Sequence, residues 1–340
     1  MPMLPLSRVS RVLYPRGLLM PGERHWRQRW QTLGELLRIS NLPTAWADIA
    51  CGWLVSTRLR FAPTWSSQEL VGFVGLLLAS SGLYLSGMAW NDYFDAARDA
   101  VERPSRPIPS GRTRRVVAAW VAAGLMLIGL LTAGLTAWAA ATAWPIAIAG
   151  WLAFLILAYD GLLKQNLAGP VILGLCRFTN VLLGAALAAE PFSALMIYLA
   201  TTNGVYITGV SYLARNEVGK ASRVGLLIAG GLIAIALAMS ATTSLPVFLR
   251  RMGADWTVPA WQLALWWAVF VWWGFKILRT MLAVLRSPQP WRIQLAVGQF
   301  LAGVIVLDTL LAAAIVGPMG YVIALLVLPA RWLRRHFPPT

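Results

Sequence analysis

The sequence predicts an all-α integral membrane protein, a bundle of nine transmembrane helices with a tenth left open, on three observations. Hydrophobic residues make up 58% of the 340 and charged residues only 12%, with a positive mean hydropathy. No soluble domain of this length needs so much apolar side chain. Apolar runs long enough to cross a bilayer recur along the chain, and the connections between them are too short for a soluble domain.

In chain order, residues 1–24 carry several Pro, Gly and Arg and no continuous apolar core, so no cleavable signal peptide is expected. "HWRQRWQTLGELLRIS" places Trp26, Trp30, Leu33 and Leu37 at helical spacing among arginines. That pattern suits an amphipathic helix lying on the membrane surface, with a solvated linker as the alternative. Residues 1–38 thus read as a basic N-terminal arm with an interfacial helix. The spans follow at 42–58, 69–90, 115–139, 142–159, 168–189, 192–213, 223–247, 260–284 and 293–316. Residues 39–316 form one membrane domain, and 317–340 an apolar segment with a basic tail. Within that tail 318–333 is either a tenth span or a half-buried end.

The formal charge is +16, yet the basic residues are spread through the connections instead of clustering on one soluble face. This speaks against nucleic acid and for topology. An N-terminus inside puts the arm, the loop after the second span, Lys164, Arg215, Lys220, Arg286 and Arg292 on the cytoplasmic side. Arg58 and Arg250 are the modest exceptions, and a tenth span would add Arg331, Arg334 and Arg335 inside. Cys51 and Cys176 lie in apolar runs and suggest no disulfide framework, and His25 and His336 lie in basic surroundings near opposite ends. Nothing here has zinc-ligand spacing.

The informative stretch is "GMAWNDYFDAARDAVERPSRPIPSGR". Asp92, Asp95 and Asp99 fall at i, i+3 and i+7, one face of a helix turning roughly 100° per residue. Carboxylates so close repel unless something positive lies between them. Magnesium takes oxygen ligands and is commonly shared between a few carboxylates and substrate phosphates. Arg98, Arg103, Arg106 and Arg112 offer forked donors to the remaining oxygens of a diphosphate. The prolines of "RPSRPIPSG" stiffen the exit from the helix. The residues therefore predict a magnesium–diphosphate site at a membrane surface, against the alternative of a loop whose acids and arginines merely pair with each other.

Here the sequence resembles the UbiA-type intramembrane prenyltransferases over about residues 35 to 316. "NDYFDAARD" fits that family's first aspartate motif at Asn91, Asp92, Asp95 and Asp99, which the resemblance makes metal ligands. Arg38 and Asn41 are similar to the family's entry segment, and Tyr159, Asp160 and Lys164 stand where the family carries a diphosphate-binding lysine. Arg177 and Asn180, inside the fifth span, should face a polar cavity, because an ionisable group in lipid is costly. The bundle is then expected to hold a polar cavity open to the cytoplasm.

The family's second motif presents two aspartates; here "SYLARNEVGKAS" has Glu217 as its only carboxylate, beside Tyr212, Arg215, Asn216 and Lys220. Three readings stay open. Glu217 holds a second magnesium, with or without Asn216; Arg215 or Lys220 replaces that metal on the diphosphate; or the site binds without turnover. Asp48 and Asp308 read as structural. The two motif segments look most like an EboC-like bacterial branch.

The resemblance implies Asp92, Asp95 and Lys164 as catalytic, and Asn41, Arg98, Arg103, Arg106, Arg177, Asn180, Tyr212, Arg215 and Lys220 as diphosphate ligands. It implies Mg2+ at Asn91, Asp92, Asp95, Asp99 and Glu217. The reaction would move an isoprenoid chain from a polyprenyl diphosphate to a hydrophobic, aromatic or lipid-like acceptor in the bacterial inner membrane, releasing pyrophosphate. A non-catalytic lipid-diphosphate binder or transport subunit is the alternative function, and a structural membrane protein with an incidental acidic loop a third.

Overall fold

The computed structural model describes residues 21–58, 65–217, 222–251 and 259–337, and no strand occurs among them. The helices are α1 (Pro21–Leu36), α2 (Leu42–Arg58), α3 (Ser67–Glu102), α4 (Arg115–Ala139), α5 (Trp144–Ala158), α6 (Gly169–Gly184), α7 (Ala194–Ala214), α8 (Arg223–Thr242), α9 (Pro246–Arg251), α10 (Ala260–Arg286), α11 (Pro290–Val316) and α12 (Val327–His336). Helix starts are fixed locally. Ser66 and Glu69 form a reciprocal capping box at α3, and Ser193 and Ser222 accept from backbone amides of α7 and α8. A proline in the first turn opens α5, α6 and α11, where its missing amide hydrogen costs nothing.

The long helices alternate in direction and pack side by side, α3 on α4, α6 on α7 and α7 on α8, with α2 in the middle against α6 and α11. Six helical segments among the described residues are long and apolar enough to cross a membrane. Their outer faces stay greasy: Trp120, Leu127, Leu131, Leu135 and Trp138 line the outside of α4, as Trp272, Phe275 and Leu278 do on α10. A stripe this extensive needs lipid to cover it. Trp151 and Trp272 are exposed at mid-helix, but the other exposed tryptophans gather towards the two ends, Trp65, Trp138, Trp144 and Trp261 at one and Trp30, Trp120, Trp291 and Trp332 at the other. These are the positions of interfacial belts.

Three elements differ from the sequence expectation. The second span does not stop near residue 90: α3 continues to Glu102, because its polar end is paired on one face and its backbone bonds stay within the helix. The seventh ends at Thr242, with α9 separate from it. After α11, Gly317 turns the chain in a left-handed conformation (φ 67°), and a 3-10 helix, Gly317–Leu326, runs back along α11 and α2 before α12. Ten 3-10 residues and ten α-helical residues rise about 35 Å together. The segment therefore returns along the bundle and ends beside Asn41 and Gly34. Of the expected interfacial helix, α1 forms and buries Leu36 and Leu37, while the Trp26 side chain lies outside the described residues.

The α2–α6 contact positions the polar interior. A Cβ on Gly52 would sit 2.1 Å from the Val181 carbonyl oxygen, and one on Gly184 2.4 Å from that of Ile49. Backbone cannot yield as a side-chain tip does, so Gly184→Ala pushes the helices apart. The expected cost is about 1–3 kcal/mol, the usual range for overpacking, read as a lower midpoint of thermal unfolding in detergent. An unchanged midpoint would show that the pair tolerates separation.

Candidate active site at the end of helix α3

The last turns of α3 carry the motif. Asn91, Asp92 and Asp99 are buried and Asp95 is half-buried on the inward face. Arg98 lies off that face, exposed, and pairs with Glu102 one turn on at 2.9 Å. Its guanidinium is taken up by Glu102, and it makes no ion pair with the aspartates among the described residues.

Cations come from three other segments. Arg38 breaks the chain between α1 and α2 in a left-handed conformation (φ 43°). That turn aims its Nη2 at Asn91 Oδ1 (3.1 Å) and Asp92 Oδ1 (2.9 Å). The connection after α3 returns Arg106, buried, to Asp99 Oδ2 at 2.5 Å and to Asp92 Oδ1 at 3.6 Å. Its shape is held by Arg112, which donates to the Ser105 carbonyl, to Ser110 Oγ and to Glu35, and by Gly111 at φ 74°. A π-helical turn, Tyr159–Leu163, ends α5 and presents Lys164 in an ion pair with Asp95. The same turn places Asp160 to accept from Asn91 Nδ2 at 2.9 Å. Arg103 reaches Glu217 at 3.1 Å. Burial lowers the pKa of Lys164, against the pull of Asp95, and that of Arg106, which Arg38 depresses further. Burial raises the pKa of Glu217 although Arg103 opposes it.

The result is a rim in which Asp92, Asp95, Asp99 and Glu217 are each matched to a cation and Asp160 to the Asn91 amide. A diphosphate arriving here finds three donors, Arg38, Arg106 and Lys164, that can exchange a carboxylate for a phosphate oxygen. Among the described residues no three Asp, Glu, His or Cys side chains converge into a metal centre as they stand. The donor chemistry nevertheless fits magnesium: carboxylate and amide oxygens on consecutive turns of one face, without thiol or imidazole. Asp92, Asp95 and Asn91 would hold the ion. Glu217 faces Arg103, so the second motif contributes a salt bridge where two aspartates were absent from the sequence.

Other expected site residues do different work. Arg177 donates to Asp48 Oδ2 and to Thr44 Oγ1, each at 2.8 Å. Asn180 donates to Asp48 (2.9 Å) and the Ala45 carbonyl (3.0 Å) and accepts from Ser80 (2.8 Å). Asn203 Nδ2 bridges Asp48 at 3.2 Å and Asp308 at 2.7 Å. Both acids are 0% exposed. Arg177 and Asn180 therefore belong to a polar knot inside the bundle, next to Tyr84, and not to the aspartate face two turns away along α3. Arg215 donates to the Asn166 and Gln165 carbonyls, both at 2.7 Å, and the Tyr212 hydroxyl to that of Leu167 at 2.9 Å. They fasten the loop that carries Lys164 and do not reach the aspartates. Asn41 accepts from Arg334 at 3.2 Å. Lys220 lies outside the described residues. Sequence reasoning singled out Arg38 in the entry segment and Asp160 beside Lys164 but gave neither a role in the site; Arg334, 293 residues from Asn41, left no local signal.

The family model described as the UbiA prenyltransferase family matches residues 49–280. The chain is 38% identical over 164 residues to digeranylgeranylglyceryl phosphate synthase of Methanothrix thermoacetophila, covering 48% of this chain and 56% of that protein. It is 32% identical over 161 residues to protoheme IX farnesyltransferase of Methylocella silvestris, covering 46% and 45%. The matches thus span about half the length of these curated relatives. Two solved structures share the fold. One, from a study of digeranylgeranylglyceryl phosphate synthase in membranes, has TM-score 0.57 at 19% identity and covers 86% of this chain and 98% of that one. The other, an apo UbiA homologue from Aeropyrum pernix K1, has TM-score 0.56 at 15% identity and covers 82% and 97%. With its apolar helices and a family match from residue 49 to residue 280, the chain is an integral membrane protein that belongs to the UbiA prenyltransferase family.

Proposed function

We propose that the protein is a magnesium-dependent prenyltransferase, moving an isoprenoid chain from a polyprenyl diphosphate to a hydrophobic acceptor and releasing pyrophosphate. The observation that carries the reading is the inward face of α3, where Asp92, Asp95 and Asp99 meet Arg38, Arg106 and Lys164. The donor's tail lies among the apolar helices while its phosphates dock at the rim. Arg38, Arg106 and Lys164 supply donors to the phosphate oxygens and neutralise the charge that grows as the allylic C–O bond breaks and its electron pair leaves with pyrophosphate. The acceptor attacks the prenyl carbon and loses a proton. Magnesium, when bound, contributes Lewis-acid stabilisation of the leaving group. The basic segments support placing this end of the bundle in the cytoplasm, N-terminus inside, at a bacterial inner membrane.

One relative is named for making digeranylgeranylglyceryl phosphate and another for farnesyl transfer to protoheme IX, so the acceptor is proposed only as aromatic or lipid-like. The reading as a non-catalytic lipid-diphosphate binder draws on one feature, Glu217 held by Arg103 where the family has two aspartates. Turnover separates the two. Purified protein in nanodiscs, offered geranyl to longer polyprenyl diphosphates with host lipid extract, should release pyrophosphate in single-turnover assays. Lys164→Met should slow that release about 10²-fold, the cost of one preorganised donor, with little change in thermal stability. Equal rates would remove Lys164 from the chemistry.

A further inference from the structure

Helix α12 presents three arginines, and they do not share an environment. Arg331 and Arg335 are exposed, whereas Arg334 turns inward with Ala330, one helical turn before it. Its Nη2 donates to Asn41 Oδ1 at 3.2 Å, and its Nε is buried without a partner. Its position is held from both sides. The Gly317 turn feeds the helix back to this end, and the Phe337 ring packs so closely on Gly34 that a Cβ there would lie 2.1 Å from it.

The charges around Arg334 are uneven. Arg38, Arg103, Arg106, Lys164 and Arg177 each face a carboxylate. Arg334 has none within ion-pair distance among the described residues; its electrostatic neighbour is the Tyr84 phenol. A guanidinium cannot shed its proton, and charges withdrawn from water are ordinarily paired. Asn41, its hydrogen-bond partner, closes the 3-10 turn Ile39–Asn41 that begins just after Arg38, the residue holding Asp92. Three residues of that turn rise only about 6 Å. An unmatched, forked cation therefore rests on Asn41 and near Tyr84, on the entry segment whose preceding residue, Arg38, reaches Asp92, and it comes from a segment beyond the reach of the family model.

We propose that Arg334 is a substrate-anion ligand: its guanidinium takes a phosphate oxygen, either of the prenyl diphosphate or of a phosphate carried by the acceptor. This rests on the reading of the rim as a prenyl diphosphate site. It gives α12 a function, bringing a positive charge from the end of the chain to a site whose second motif has a single carboxylate.

The test is binding to protein in zwitterionic nanodiscs, followed by calorimetry with two probes: a non-reactive geranylgeranyl thiolodiphosphate and a long-chain glycerol phosphate ether lipid. Native protein is compared with Arg334→Gln, Arg334→Lys and, as the neighbouring control, Arg335→Gln, each checked by thermal melt. The expected result is at least tenfold weaker binding of one probe by Arg334→Gln, partial recovery in Arg334→Lys, and no change in Arg335→Gln. Weakening of the thiolodiphosphate alone assigns Arg334 to the donor, and of the ether lipid alone to the acceptor phosphate. If Arg334→Gln does not fold, the lysine variant decides, since loss of the fork should still weaken one probe several-fold. Native affinity for both probes in every folded Arg334 variant, or equal weakening by Arg335→Gln, overturns the inference. Native protein that fails to bind the thiolodiphosphate overturns the proposed function itself, a result visible before any variant is measured.

Discussion

Asp92→Asn should reduce pyrophosphate release about 10³-fold, the upper end of what one preorganised electrostatic contact contributes, while leaving the protein folded. Asp92 is the carboxylate on which the rim converges, contacted by Arg38 at 2.9 Å and by Arg106 at 3.6 Å. An asparagine keeps the shape and an acceptor oxygen but removes the negative charge that would hold a cation against the diphosphate. Both arginines retain partners in the variant, Arg38 in Asn91 and Arg106 in Asp99. The stability cost is therefore confined to weakened charge-assisted hydrogen bonds, about 1–3 kcal/mol. The check is single-turnover release beside a thermal melt. Loss of rate with a folded protein supports the assignment; a native rate would take Asp92 out of the reaction.

The second large effect concerns the interior. Arg177→Met should cost about 3–5 kcal/mol, the penalty for leaving one partner of a buried ion pair uncompensated. Asp48 is 0% exposed and would keep the amides of Asn180 and Asn203 and the neighbouring Asp308 carboxyl, with no cation beside it. Folded yield in detergent should fall steeply. The double variant Asp48→Asn, Arg177→Met should recover most of it, because the stranded charge is removed along with its partner. Equal instability of the single and double variants would mean that Arg177 acts through packing alone. An additional loss of turnover in a folded double variant would return Arg177 to the substrate site.

The contrast between these two arginine-rich regions shows what the sequence carried. Span positions were legible because the bilayer imposes a length on each apolar run, and α4 at Arg115–Ala139 ends where the run at 115–139 does. The aspartate face was legible because one helix generates it, through i, i+3 and i+7 spacing. Continuation of α3 to Glu102 was not, since hydropathy ends near residue 90 and the support for the polar turns comes from Arg38, Arg106 and Lys164 elsewhere. The same limit displaced Arg177 and Asn180. A polar residue within a span announces that it needs a partner, but Asp48 is 129 residues from Arg177, and only the packing of α2 on α6 joins them. Tyr212 and Arg215 were drawn towards the site by their neighbourhood in sequence, whereas their donors satisfy carbonyls of the Lys164 loop. At the C-terminus, hydropathy registers an apolar segment without revealing that half of it is a 3-10 helix or that Arg334 arrives beside Asn41.

The most direct test of the central claim is mass spectrometry of host lipid extract incubated with the nanodisc-embedded protein and deuterium-labelled polyprenyl diphosphate, with magnesium and with EDTA in its place. A magnesium-dependent prenyltransferase forms a new labelled species whose mass equals that of an acceptor plus the prenyl chain minus one hydrogen, together with pyrophosphate and only when magnesium is present. Bound donor recovered intact under both conditions, while a known prenyltransferase run alongside converts acceptor in the same extract, would make the protein a lipid-diphosphate binder and not a transferase.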